Sequence, residues 1–488
     1  MIPDKILTSR GYSINKTAVS PVLKARIERE LTVKPIVQQT YAGTVKPFKL
    51  WFDSPTRYYL PQAWAKKVFG KADADVRKSG RILSDTLVFG GTLRQHQIDA
   101  LAALRKHENN GIICLPCGYG KTFTGIAAAL SNGPGKNTAF MIVVHKEFLA
   151  DQWTEELKRL VPGIRIGRIQ GDSCDIGDDF DVSIAMIQTL CSRNYPAGTF
   201  DNFGFAIFDE VHHLGAEHFS KALYHINCKK RLGLTATPKR ADGLSKVFAY
   251  YIGDIVYEIR QRPKDDTVIV ETLKYTSADE DYADAPIDWK GEIVRARLIN
   301  QIADYLPRTI AIVDWVAPIL SEHPSRKLLV LSDRREHLKM FESEFRKKGI
   351  DSIGYYVGGM KQAKLDESAE KSIILGTFAM ASEGMNIPTL NMVLLATPKS
   401  NIEQSVGRIL RQKIEERIVQ PMILDVADEV FTDCMRQFWK RRKFYKECGY
   451  VLRWAGQTKE DDEDKEDKED KEKETENNLP AFVDDDDD

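Results

Sequence analysis

The stretch from Gly111 to Leu130, GIICLPCGYGKTFTGIAAAL, constrains this chain more than any other. The apolar run Ile112 to Leu115 predicts a buried strand. Gly118-Tyr119-Gly120 follows as a glycine turn, and Lys121 and Thr122 open a predicted helix that stays apolar through Ala129 and Leu130. Strand, glycine turn, Lys-Thr and helix are the parts of a phosphate-binding loop. Glycines let backbone N–H groups curl around phosphate oxygens, and the helix N-terminus adds partial positive charge. Lys121 supplies a full charge to the β- and γ-phosphates, and the Thr122 hydroxyl is suited to ligate Mg²⁺. Pro116, Cys117, Gly118, Tyr119 and Gly120 complete the expected nucleotide-binding loop. Leu115 stands where the strict GxxxxGK[ST] pattern has its first glycine, so a plain strand-to-helix turn is the alternative.

The 488 residues suffice for two or three domains with real cores. A net charge of −1 hides an asymmetry. Residues 1–80 carry 15 Lys and Arg against 6 Asp and Glu, whereas residues 459–488 carry 5 Lys against 17 Asp and Glu. The body is therefore basic and the tail acidic, which suggests an anionic partner for the body. Seven scattered cysteines predict a reducing compartment. No secretory signal and no apolar run of transmembrane length is visible, so a soluble, intracellular protein with no membrane partner is expected. Nucleus, viral factory and virion are not distinguished.

Residues 1–88 read as a small basic substrate-binding domain. Its aromatic residues (Tyr41, Phe48, Trp51, Phe52, Tyr58, Tyr59, Trp64) interleave with Lys46, Lys49, Arg57, Lys66 and Lys67. Such a mixture suits nucleic acid, with charges for phosphates and rings for bases, but the same rings also suit a core. From Thr92 apolar strands alternate with helical patterns, which predicts a parallel sheet covered by helices on both faces. Residues 89–260 form a first α/β domain, 261–305 a polar connection, and 306–456 a second α/β domain. The predicted terminal helix, Thr432 to Cys448, carries Arg436, Lys440, Arg441, Arg442 and Lys443. That basic face fits a phosphate backbone, a nuclear signal or plain solvation. The tail 457–488 is low-complexity and expected to be disordered, and its apolar island Leu479 to Val483 is a docking peptide or part of a solubilising tail.

Nucleotide hydrolysis needs a metal-holding carboxylate, a base for the attacking water, and positive charge on the transition state. Asp209-Glu210-Val211-His212 follows an apolar strand. Asp209 is placed to hold Mg²⁺ and Glu210 to act as general base. His212 is placed to couple the γ-phosphate to Thr235-Ala-Thr237. Arg408 and Arg411, three apart on one predicted helix face, are candidate catalytic arginines. They fall in the second α/β domain, so they would reach the nucleotide only on domain closure.

These motifs together resemble a superfamily 2 helicase of the DExH type. LPCGYGKT is similar to motif I, DEVHH to motif II, RLGLTATPKRADG to motif III, LLVLSDRREHLKMF to motif IV, SEGMNIP with Thr377 to motif V, and QSVGRILR to motif VI. The resemblance implies two tandem RecA-like parallel-sheet domains, ATP and Mg²⁺ as cofactors, and a nucleic-acid partner, DNA favoured and RNA possible. It also implies adenine contacts from Arg94 and Gln97, nucleotide contacts from Gly384 and Gln404, and strand contacts from motifs Ia (Val143 to Trp153), IV and V. Finer details look most like the XPB branch and poxvirus-type transcript-release helicases of large DNA viruses. That branch implies a DNA helicase or translocase working with transcription machinery. XPB has Arg-Glu-Asp where this chain has Arg240-Ala241-Asp242. An RNA helicase, a branch-migration or annealing helicase, and a non-catalytic scaffold are the alternatives.

Overall fold

A computed structural model describes residues 3–34, 46–116, 118–133, 135–196, 198–212, 221–226, 228–236, 244–259, 264–383, 385, 387–407, 409–410 and 417–456. The acidic tail, Tyr41 and the Leu479 to Val483 island lie outside the described residues. The chain divides into two units, Met1–Arg260 and Gln261–Asp488.

Among the described residues the first unit holds three sheets, the smallest being the antiparallel pair Thr32–Val33 with Phe48–Lys49. A five-stranded sheet runs in the order Phe52–Asp53, Arg57–Leu60, Gly11–Asn15, Lys5–Thr8, Ala74–Asp75. An eight-stranded sheet is ordered Ser173–Cys174, Ile166–Gln170, Val182–Met186, Phe140–Val144, Phe205–Phe208, Lys230–Thr235, Asn110–Cys114, Ile255–Glu258. All its pairings are parallel except the first, which is antiparallel. Phe140–Val144 and Phe205–Phe208 are buried at every position. Unbroken apolar runs are what a parallel strand covered on both faces requires. The helices Gln95–Lys106, Lys121–Leu130 and Glu147–Leu160 supply that cover.

The N-terminal aromatic residues divide. Phe48, Tyr58 and Trp64 are buried in the core, and the Trp64 indole donates to Glu30 Oε2 at 2.8 Å. Trp51, Phe52 and Tyr59 are half-buried, with Phe52 and Tyr59 stacked at 4.8 Å between centroids. The neighbouring cations are also engaged. Arg57 donates to Pro3 O, Asp4 O and Ser13, Lys66 pairs with Glu108, and Lys67 pairs with Asp254. Phe48, Tyr58, Trp64 and Arg57 therefore serve the unit's own packing, while Lys66 and Lys67 sit in exposed ion pairs.

In the second unit seven strands are all parallel, in the order Ile353–Tyr356, Ile373–Thr377, Leu328–Ser332, Met392–Leu395, Met422–Asp428, Ile269–Tyr275, Val451–Trp454. Ile269–Tyr275 corrects the expectation that 261–305 is only a polar connection. It lies inside the sheet, between Met422–Asp428 and Val451–Trp454. Its polar Glu271 is buried, accepting from Trp315 Nε1 at 2.7 Å and from Arg453 Nε at 2.6 Å. The Arg295–Asp304 helix also packs inward, through Leu298 and Ile302 against Tyr282 and Phe431.

The terminal helix, Thr432–Glu447, is a second correction. Arg441 and Arg442 are buried rather than part of a solvated basic face. Arg441 is locked to Asp425, and Arg442 lies 5.3 Å over the Trp454 ring. Among the described residues, no helix is long and apolar enough to cross a membrane.

Gly80 and Gly204 let the segment leading from the N-terminal sheet lie directly on the parallel sheet. A Cβ on Gly80 would meet Gly204 N at 2.2 Å, and one on Gly204 would meet Ser79 O at 2.1 Å. Both contacts are with backbone, which has little room to yield. Gly204→Ala should therefore lower stability by about 1–3 kcal/mol, read as a fall in the urea midpoint. An unchanged midpoint would contradict this close approach.

Candidate nucleotide site

The phosphate loop leaves the Asn110–Cys114 strand and turns into the Lys121–Leu130 helix. Gly118 (φ +83°) and Gly120 (φ +75°) take left-handed conformations that favour glycine. A Cβ on Gly120 would also meet Gln97 Nε2 at 2.5 Å. Gln97 is buried, and its amide clips the loop to the preceding helix. Its Oε1 accepts from Arg94 N at 2.8 Å, while Nε2 donates to Tyr119 O and Gly120 O at 3.3 Å each. His96 Nε2 lies 3.1 Å from the same Tyr119 carbonyl. The expected adenine-contacting glutamine thus holds the phosphate loop itself, and the Arg94 side chain is exposed beside it. Pro116 is buried, with its carbonyl accepting from Tyr119 N. Thr122 is half-buried at the start of the helix.

Parallel pairing brings the ends of three strands together. Asn110–Cys114 neighbours Lys230–Thr235, which neighbours Phe205–Phe208. Lys121 Nζ donates to Glu210 Oε1 at 2.5 Å, and both side chains are largely buried. Glu210 has φ +46°, a conformation that L-residues adopt at a cost of about 1–3 kcal/mol. Asp209 is buried, with Oδ2 accepting from Trp153 Nε1 at 2.8 Å and Oδ1 from Glu210 N at 3.1 Å. Burial, and next the Glu210 charge, hold its pKa above the usual carboxylate range, while Lys121 and the Trp153 indole oppose the rise. A buried carboxylate lacking full compensation suits a divalent cation. Mg²⁺ would supply charge at the phosphates, with Asp209 and Thr122 as its natural holders. His212 Nδ1 lies 2.9 Å from Thr235 Oγ1 and 3.5 Å from Glu210 Oε2. The ring thus lies between Glu210 and the end of the neighbouring strand.

Lys121, Asp209, Glu210, His212 and Thr235 thus form one cluster, with Gln97 fastened to its loop. Cys117, Thr237, Gly384, Arg408 and Arg411, and the Gln404 side chain, lie outside the described residues. Sequence reasoning missed two supporting residues. Trp153 holds Asp209. Gly125 makes room for it, since a Cβ there would meet Trp153 Cη2 at 2.8 Å. Their signal was a glycine four positions after Lys121 and a tryptophan inside motif Ia.

Family models match both units. Residues 91–240 match the res subunit of type III restriction enzymes, and residues 311–413 match the helicase conserved C-terminal domain. A protein of Acanthamoeba polyphaga mimivirus, provisionally named ATP-dependent RNA helicase L396, is 31% identical over 460 residues. That alignment covers 92% of this chain and 86% of the mimivirus protein. The chain belongs to the superfamily 2 helicases. It is an ATP-hydrolysing enzyme with two RecA-like domains, and its fold binds nucleic acid. The phage T5 protein named a probable helicase, D10, is 26% identical over 72% of this chain and 75% of its own length. A provisionally named RNA helicase of African swine fever virus is 26% identical, covering 64% of each chain. In fold, yeast Dbp5 bound to RNA and ADP BeF3 is similar at TM-score 0.52, with 12% identity over 75% of this chain and 90% of that one. The restriction-modification enzyme LlaBIII bound to DNA is similar at TM-score 0.51, with 15% identity over 76% of this chain and 32% of that one.

Trp153→Phe should remove the indole donor to Asp209 and leave a small void beside Gly125, where Cη2 packs. The expected cost is about 1–3 kcal/mol of stability, with a several-fold fall in ATPase rate. A variant with wild-type stability and rate would show that the indole does not hold the carboxylate.

Proposed function

We propose that this helicase is a DNA translocase that couples ATP hydrolysis to movement along, or unwinding of, DNA. The observation that carries the reading is the Lys121–Glu210 pair at adjacent strand ends, with His212 tying Glu210 to Thr235. In this reading the ATP phosphates draw Lys121 away from Glu210. The freed carboxylate then accepts a proton from the attacking water. Asp209 and Thr122 hold Mg²⁺. Pro116 to Gly120 wrap the phosphates, with Gln97 and Arg94 at the adenine side and Gly384 and Gln404 lining the nucleotide from the second RecA-like domain. Arg408 and Arg411 neutralise the transition-state charge, an effect worth ~10³–10⁵ in rate when supplied by an arginine finger. Because Thr235 ends the neighbouring strand, the His212–Thr235 contact reports occupancy of the site through Thr235 and on to Thr237 and the strand-binding surface. Residues 1–88 serve as the substrate-binding domain.

DNA is favoured because LPCGYGKT, DEVHH and GLTATPKRADG look like the XPB branch. The likeness to transcript-release helicases, together with relatives in large DNA viruses, supports a role in viral transcription alongside its machinery. Branch migration in recombination and repair is the next setting. RNA as substrate is the second reading, favoured by the names of the mimivirus and swine fever virus relatives.

The test is steady-state ATPase with no nucleic acid, single-stranded DNA, branched DNA and RNA. Glu210→Gln should lower kcat by about 10²–10⁴, and Lys121→Ala should abolish stimulated turnover. Strong stimulation by DNA and little by RNA is expected. Equal or greater stimulation by RNA would replace the DNA reading, and full activity in Lys121→Ala would remove the site assignment.

A further inference from the structure

The Met422–Asp428 strand carries two buried carboxylates, Asp425 and Asp428. Three residues apart on a strand, they point to opposite faces of the sheet. Each binds one buried arginine through both carboxylate oxygens. From the Leu306–Ser321 helix, Arg308 Nε and NH2 donate to Asp428 at 2.6 and 3.0 Å. From the Thr432–Glu447 helix, Arg441 Nε and NH2 donate to Asp425 at 2.9 and 2.8 Å. Tyrosines complete both sites, Tyr282 OH donating to Asp428 at 2.7 Å and Tyr445 OH to Asp425 at 3.0 Å.

Buried ion pairs of this kind do not by themselves argue for stability, since apolar replacements are often as stable. What distinguishes these two is the remaining donor. Arg308 NH1 donates to Ala396 O at 2.8 Å, and Arg441 NH1 donates to Lys399 O at 2.6 Å. The two arginines therefore grip one short connection from opposite faces. It follows the Met392–Leu395 strand and leads into the Glu403–Val406 helix, where QSVGRILR begins at Gln404. Two further bonds pin it, Ala396 N to Leu331 O at 2.8 Å and Asp333 N to Thr397 Oγ1 at 3.1 Å. Arg308, Asp425, Asp428 and Arg441 all lie outside the 311–413 family match. A guanidinium can satisfy a carboxylate bidentately and still reach a carbonyl, whereas an ammonium, a point donor, cannot span both.

We propose that Arg308 and Arg441 are positioning residues for ATP hydrolysis. They fix the Ala396 to Lys399 connection and thereby the approach to the Glu403–Val406 helix, which precedes Arg408 and Arg411 in sequence. This rests on the assignment of those two arginines to the transition state. The test is nucleic-acid-stimulated ATPase of the full chain, with kcat and KM for ATP measured separately. Arg441→Lys should lower kcat by about tenfold or more and leave KM within about twofold, the mark of an interaction used in the transition state. Arg408→Ala combined with Arg441→Lys should be no slower than Arg408→Ala alone, because residues acting as a unit are not additive. Losses that multiply would show a merely structural role and overturn the proposal, as would wild-type kcat in both Arg441→Lys and Arg308→Lys. Tyr445→Phe removes one hydroxyl from the same site. It should lower kcat by about threefold, and it carries the test if Arg441→Lys fails to fold. Wild-type rates in both Arg408→Ala and Arg411→Ala would instead refute the arginine assignment, and the proposal with it.

Discussion

Two adjacent carboxylates, Asp209 and Glu210, follow the Phe205–Phe208 strand in a largely buried place, and much of the first unit is arranged around supplying them with donors. Water is mostly excluded there, so each needs a donor from the protein. Lys121 answers Glu210, and the Trp153 indole answers Asp209. Each answer imposes a further demand. The lysine must leave a left-handed glycine, which Gln97 fastens in place. The indole must reach past a helix, which Gly125 leaves bare at the crossing. The parallel sheet makes this economical, because neighbouring strands end at the same level and bring residues distant in sequence into one cluster.

The parts of the fold legible in the sequence were those written in continuous apolar runs. The helix opened by Lys121 begins where the sequence places it, and the Phe205–Phe208 and Met392–Leu395 strands are unbroken apolar runs. The site was legible where a motif states its chemistry at fixed spacing, as Lys121 and Asp209-Glu210 do. Polar residues used internally were not legible. Ile269–Tyr275 looked like a connection because Glu271 and Lys274 interrupt it, yet Glu271 is buried against Arg453 and Trp315. Arg441 looked like part of a surface charge run, and only its distant partner, Asp425, shows otherwise. A sequence shows that a charge is present but not whether its counter-charge waits in the fold.

The same limit governs Gln97. Its motif implies contact with a base, but its amide is committed to two loop carbonyls and an amide N–H. The shape of the phosphate loop therefore depends on this one amide. Whatever displaces that amide also loosens the turn that presents Lys121. In the second unit the corresponding economy lies in guanidinium groups, which bind a carboxylate and a main-chain carbonyl at once. Both units use long polar side chains as internal fasteners for segments that regular secondary structure leaves untied.

The left-handed backbone of Glu210 sets stability and turnover against each other at one position. Glycine or asparagine there would relax the main chain, and either would remove the carboxylate proposed as the base. Laboratory evolution that rewards only heat resistance or expression yield would therefore drift toward inactive chains at this codon. Selection for robustness here needs a catalytic screen running beside it.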